Sequence, residues 1–273
     1  MSKLAIIICG ATGRMGKELI ALCNESPDLK LIGACTRGSN PLIGQDVGNG
    51  VRLTNSLDVA LQGHDPKDSG PVIVDFSLAE GLAEHAAAAA RLRLPIVVGA
   101  SGLNEHHHAL LKQVSAQIPV LVAPSTSIVA NLLGLLSAQA ARVLEDADVE
   151  ICELHHRMKK DSPSGTAYFL AKEIAKARHV RFEDVACFNR HEAGPRKPGE
   201  IGIVGLRGGD AMGTHTVHFL ADGESFELTH RGSSRRIFAQ GALKAALFLA
   251  PARPGLYNMF DVFQLTGLLG DRA

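Results

Sequence analysis

Leu4-Ala-Ile-Ile-Ile-Cys9-Gly10-Ala-Thr-Gly13-Arg-Met-Gly16-Lys-Glu-Leu-Ile-Ala-Leu-Cys23 is the stretch whose reading decides the fold. An unbroken apolar run over 4–9 is what a parallel strand buried on both faces requires, and 17–23 is apolar at helical spacing. Strand, glycine loop and helix together make the opening third of a dinucleotide-binding unit. The loop is spaced G-x-x-G-x-x-G, and Ile8 stands where the commoner G-x-G-x-x-G has its first glycine, so the flanking strand and helix carry the reading. In such a loop the glycines let the backbone approach a pyrophosphate, and the helix N-terminus stabilises its charge. The competing reading is a tight turn in which a glycine packs helix onto strand.

A second strand, 29–35, ends roughly twenty residues past the loop, where such units contact the adenosine ribose. No carboxylate stands at its tip; Thr36 and Arg37 do. A carboxylate there would favour NAD and repel a 2′-phosphate, whereas an arginine can fork onto that phosphate, so NADPH is the expected preference over NADH. Further apolar runs at 71–76, 95–99 and 119–123 alternate with helical stretches at 79–92 and 104–116. That alternation predicts an α/β, Rossmann-like doubly wound parallel sheet, with the loops 77–80, 99–102 and 123–126 along its ligand-binding carboxyl edge. His106, His107 and His108 are consecutive and point in different directions, so they read as solvated and not as a metal site.

From about residue 147 the pattern changes. Residues 147–154 alternate apolar and polar, as in a half-buried strand, and run into Glu153-Leu-His-His-Arg-Met-Lys-Lys-Asp-Ser-Pro-Ser-Gly-Thr166. This window gathers proton-active and anion-binding groups ahead of a helix over 167–177, with Asp161 or Ser162 expected as N-cap and Pro163 in the first turn. The first-turn amides of Ser164, Gly165 and Thr166 then suit a carboxylate or phosphate, and adjacent His and Lys suit proton transfer. Strands at 200–206, 215–220 and 224–230 predict a second, α+β domain with a mainly antiparallel sheet against a helix. The Gly- and Pro-rich loop 190–199 reads as mobile, 238–249 as helix, and the tail 256–269 as returning to the first domain. The expected division is 1–126, completed by 240–273, for dinucleotide binding, and 127–239 for the second domain.

Lys plus Arg equals Asp plus Glu at 28 each in 273 residues, which gives no global field for nucleic acid or an anionic membrane. Five cysteines without a C-x-x-C pair predict reduced, buried thiols, no metal and a cytoplasmic protein. Residues 1–9 lead straight into the glycine loop and do not read as a signal peptide.

Taken together, Gly10–Gly16, Val74-Asp-Phe-Ser77, Glu153–Ala167 and Arg207-Gly-Gly-Asp-Ala-Met-Gly-Thr-His-Thr216 closely resemble the 4-hydroxy-tetrahydrodipicolinate reductase family of bacterial diaminopimelate and lysine synthesis, over essentially the whole chain. The resemblance implies a nicotinamide cofactor on the first domain, a cyclic dicarboxylate substrate on the second, closure between them, and a homotetramer built through the second-domain sheets. It makes His155 a proton donor or acceptor, Lys159 the proton donor, and His156, Gly165 and Thr166 substrate contacts. Cofactor contacts fall on Gly10, Ala11, Thr12, Gly13, Arg14 and Met15, on Arg37, on Gly99, Ala100 and Ser101, and on Ala123, Pro124, Ser125 and Thr126. Two motifs depart from the family: its Gly-Thr-Thr-Gly is Gly99-Ala-Ser-Gly102 here, and its Asn-Phe-Ser-x-Gly is Ser125-Thr-Ser-Ile-Val129. Rival readings are a reductase of another small cyclic imine or sugar acid, and a catalytically silent nicotinamide-sensing protein.

Overall fold

A computed structural model describes residues 3–63, 69–100, 102–188 and 190–263. Ser101 and the end of the expected returning tail lie outside the described residues. The chain divides into two compact units, one built from the residues up to Ser127 with a return beginning at Arg236, the other running from Ile128 to Arg235.

The first unit contains β1 (Leu4–Cys9), α1 (Arg14–Glu25), β2 (Leu29–Cys35), β3 (Leu53–Thr54), α2 (Leu57–Ala60), β4 (Ser69–Asp75), α3 (Ala79–Leu92), β5 (Ile96–Val98), α4 (Glu105–Val114) and β6 (Pro119–Val122). The second holds α5 (Ile128–Val143), β7 (Asp148–His155), α6 (Gly165–Ala177), α7 (Phe182–Val185), β8 (Ala186–Cys187), α8 (Arg190–Ala193), β9 (Ile201–Arg207), β10 (Gly213–Ala221) and β11 (Glu224–Gly232). The chain then re-enters the first unit with α9 (Arg236–Leu249), β12 (Gly255–Tyr257) and α10 (Met259–Val262).

The first sheet has the order β12-β6-β5-β4-β1-β2-β3, with parallel neighbours throughout. Because side chains alternate across a strand, β1 feeds two cores. Ile6 and Ile8 pack on one face with Leu19 of α1 and Ala242 of α9, and Ile7 packs on the other with Leu82 of α3 and Leu111 of α4. Both faces are therefore covered, which explains the unbroken apolar runs. The chain crosses from one side of β1 to the other between β2 and β4, and the loops after β1, β4, β5 and β6 share the carboxyl edge beside that switch point.

The second sheet has the order β11-β10-β7-β9-β8 and is mixed: β10 is antiparallel to β7 and β11, whereas β9 is parallel to β7 and β8. The strands do not simply follow one another as hairpins, because α6 intervenes between β7 and β9 as a crossover. Strict alternation in β7 buries Val149, Ile151, Glu153 and His155 on one face. In the 190–199 loop Arg190 pairs with Glu200, and Arg196 pairs with Asp148 at 2.7 Å and with Glu150. No helix among the described residues is long and apolar enough to cross a membrane.

Candidate active site

At the carboxyl edge of the first sheet, Gly10 sits at φ +78°, and a Cβ there would lie 2.6 Å from the Phe76 carbonyl oxygen. A Cβ on Gly16 would lie 2.3 Å from the Gly10 carbonyl oxygen. Both glycines are thus demanded by packing. Gly13 is the N-cap of α1 and carries no side chain over the helix N-terminus, so the first-turn amides stay open to an anion.

A cavity of about 400 Å³ lies along this edge, bounded by the α1 N-terminus, the β4 exit at Phe76, Ser77 and Leu78, and the loops after β5 and β6. Of the expected cofactor contacts it gathers Gly13, Arg14, Met15, Gly99, Ala100, Ala123, Pro124, Ser125 and Thr126, and no carboxylate lines it among the described residues. Gly10, Ala11, Thr12 and Arg37 do not line it. Thr12 instead lies 3.2 Å, hydroxyl to hydroxyl, from Thr36, and the Asn40 amide donates to both at 3.1 Å. Arg37 is exposed at the tip of β2. Concave shape, an uncapped helix start and the lack of lining carboxylates fit a dinucleotide phosphate.

In the second unit the hub is Glu153, wholly buried. Its carboxylate accepts from Arg207 at 2.9 and 3.0 Å, from the Ser164 N–H at 3.1 Å, and bonds Nδ1 of His155. Burial on its own would raise this carboxyl, but hydrogen bonds from His155 and Arg207, with their charges, hold it down at about 2. His155 ends β7 with its ring buried, and His156 begins the loop, its Nε2 lying 3.4 Å from Nη2 of Arg235. Lys159 donates to both carboxylate oxygens of Asp161 at 2.8 and 2.7 Å.

The N-cap of α6 is Ser164 and neither Asp161 nor Ser162; its hydroxyl accepts from the Ala167 N–H at 3.2 Å. Pro163 consequently precedes the cap and stands outside the first turn. Since the Ser164 N–H is spent on Glu153, Gly165 and Thr166 supply the first-turn amides with no partner among the described residues. A Cβ on Gly165 would meet nothing within 4 Å, so packing does not require glycine there, and its bareness leaves room for a ligand. Behind the cap, His215 Nε2 lies 3.1 Å from the Ser164 hydroxyl, and the His215 ring sits edge-on to His155 and stacked on His230. Burial, then the charges of His155 and His230, push His215 down to about 3, so it is neutral at physiological pH.

Family models for the dihydrodipicolinate reductase N-terminus and C-terminus match residues 4–126 and 129–263. The chain belongs to the dihydrodipicolinate reductase family. It is 40% identical over 271 residues to the 4-hydroxy-tetrahydrodipicolinate reductase of Anaeromyxobacter dehalogenans (strain 2CP-C), covering 96% of this chain and 98% of that protein. To the protein of the same name from Myxococcus xanthus (strain DK1622) it is 41% identical over 270 residues, covering 95% and 98%. Its fold matches the dipicolinate-bound dihydrodipicolinate reductase from Paenisporosarcina sp. TG-14 with a TM-score of 0.73 at 21% identity, over 95% of this chain and 98% of that one.

In this reductase-family chain, local sequence pattern assigns no role to Glu153, Arg207, His215, His230, Arg235 or Asn40. Strand parity holds a usable signal for two of them. Val149 and Ile151 predict that Glu153 faces inward, and Val217 and Phe219 predict the same for His215, so a charge and an imidazole point into a core and require partners. Arg207, 54 residues from Glu153, left no local signature.

Proposed function

We propose that this chain reduces 4-hydroxy-tetrahydrodipicolinate with NAD(P)H, a step of diaminopimelate and lysine biosynthesis, and that the β7–α6 segment binds and protonates the substrate. Replacing a ring hydroxyl by hydrogen takes one hydride and one proton and releases water. The nicotinamide, when bound, supplies the hydride. The remaining work belongs to side chains of this chain. The observation that carries the reading is the Glu153 junction, which ties the His155 imidazole and the start of α6 to one buried carboxylate.

Gly165 and Thr166 offer amides to one substrate carboxylate, and the His156–Arg235 pair offers positive charge and donors to an anion nearby. Lys159, held by Asp161, is the proton donor, and His155, oriented by Glu153, is the second proton-active group. Holding the ring by its carboxylates supplies much of the rate through positioning. An absorbance assay of NADPH oxidation with this substrate tests the reading: stoichiometric oxidation supports it, whereas cofactor binding without oxidation indicates a silent sensor. Turnover only with another cyclic imine or sugar acid transfers the activity to that compound.

For the cofactor, the proposal is NADPH over NADH. Thr36, engaged with Thr12 and Asn40, presents no carboxylate to repel a 2′-phosphate, and Arg37 beside it is exposed and able to reach one. A charged hydrogen bond contributes about 1.5–3 kcal/mol. Arg37→Ala is therefore expected to raise the KM for NADPH about tenfold or more while leaving that for NADH within about twofold. Equal losses for both cofactors would place the adenosine reader elsewhere.

The same proposal extends to a homotetramer formed through the second sheet. On its outward face Val204 and Leu206 are 47% and 49% exposed and stand in register beside Cys152 and Leu154 of β7, a surface that a second copy would bury. Light scattering is expected to give the mass of four chains, and Leu206→Glu to lower it. A wild-type monomer at micromolar concentration would rule the assembly out.

A further inference from the structure

The turn that leaves β4 is wedged between two loops of the dinucleotide cavity. Its Phe76 carbonyl lies where a Gly10 Cβ would stand, and its Phe76 ring lies 2.3 Å from the position of a Gly99 Cβ. Backbone bonds lock it on both sides, Phe76 N–H to the Cys9 carbonyl at 3.1 Å and Gly99 N–H to the Asp75 carbonyl at 2.9 Å. Any shift of this turn moves three walls of the cavity together. Its conformation is set by Asp75, the last residue of β4 and wholly buried, whose Oδ1 accepts the Ser77 N–H at 2.8 Å. The other carboxylate oxygen is held by Nδ1 of His85, on α3, at 2.8 Å, and the same nitrogen lies 3.4 Å from the Ser77 hydroxyl.

We propose that His85 is a positioning residue for the dinucleotide site: by holding Asp75 it fixes the Phe76–Ser77 turn against the glycine loops. A buried carboxylate with one partner removed seeks another or takes up a proton, and either response frees the Ser77 amide. The groups around His85 make this pairing its main electrostatic commitment. Asp75 faces it from β4, the buried Cys9 thiol from β1 and Cys35 from β2, with Glu84 on its own helix. Asp58 and Arg91, paired with each other at 2.7 Å, line the same cavity of about 340 Å³. Ligand atoms of Cys9, Asp75 and His85 lie within 4.8 Å of one another, and Nδ1 of His85 is bonded to Asp75. Burial lowers the His85 pKa, and the hydrogen bond and charge of Asp75 outweigh it, so the net shift is upward.

The inference rests on the assignment of the cavity to the cofactor, and the test separates the two. NADPH and NADH dissociation constants are measured by nicotinamide fluorescence without substrate, alongside kcat and both KM values, for wild type, His85→Leu and His85→Asn. The Asn amide can donate where Nδ1–H did. His85→Leu is expected to weaken both cofactors about tenfold while kcat at saturation and the substrate KM stay within about twofold, and His85→Asn to recover most of the affinity. Wild-type affinity for NADH should fall as the pH rises through the raised His85 pKa, since the charged pair is complete below it, and the Asn variant should lack that step. Unchanged affinity in His85→Leu, equal losses for cofactor and substrate, or an Asn variant no better than Leu would each overturn the proposal. Wild-type protein that binds neither cofactor would overturn the cavity assignment instead.

Discussion

Lys159→Ala is expected to lower kcat by roughly 10²–10⁴-fold, the range for a lost general acid. Lys159 pairs with Asp161, and both stand on the loop between β7 and α6, so the substitution removes the proposed proton donor without opening a core. Stability and cofactor affinity should hardly change. A Lys159→Ala enzyme within about threefold of wild-type kcat would move the acid to His155 or to solvent. Because Asp161 holds the Lys159 amine by two hydrogen bonds, Asp161→Asn should give a smaller loss of the same kind.

Glu153→Gln is the second large effect, and it falls first on stability. The glutamine fits the space but brings no charge to Arg207 and His155, and breaking a buried ion pair by altering one partner costs about 3–5 kcal/mol. Chemical denaturation of the second unit should show that loss. The Ser164 cap and the His155 ring lose their common support at once, so kcat should fall with it. The sign of the pH dependence follows from the depressed carboxyl. Its folded value of about 2 lies below the ordinary value of about 4.3, so its stabilisation is complete above the ordinary value and disappears as the pH drops through the folded one. Wild-type protein should therefore lose stability between about pH 4 and pH 2 through this group, and the Gln variant should lack that part of the loss. Parallel acid unfolding curves for the two proteins would show that Glu153 is not the hub.

The sequence made much of the first unit legible because its strands are buried on both faces. Leu4–Cys9, Leu29–Cys35 and Ala79–Leu92 stand at the expected residues, since continuous apolar runs and a four-turn amphipathic helix leave little choice. Two- and three-residue strands such as Leu53–Thr54 and Gly255–Tyr257 carry no periodicity to read. Helix α5 carries little sequence signal because apolar side chains surround it, with Val129, Leu136 and Val143 exposed, so no polar face marks its period. The histidine–lysine window announced itself by composition, yet its organisation did not. Which side chain caps α6 depended on the path through Pro163, and the partner that charges Glu153 arrives from a strand beyond the crossover helix.

The measurement that bears most directly on the β7–α6 segment as a dicarboxylate site is calorimetric binding of pyridine-2,6-dicarboxylate against pyridine-2-carboxylate. With Gly165 and Thr166 amides taking one carboxylate and the His156–Arg235 pair near the other, removing one carboxylate should weaken binding by about 1.5–3 kcal/mol, roughly 10- to 150-fold. Only the di-acid should then compete strongly with substrate. Equal affinity for the two acids would contradict the account.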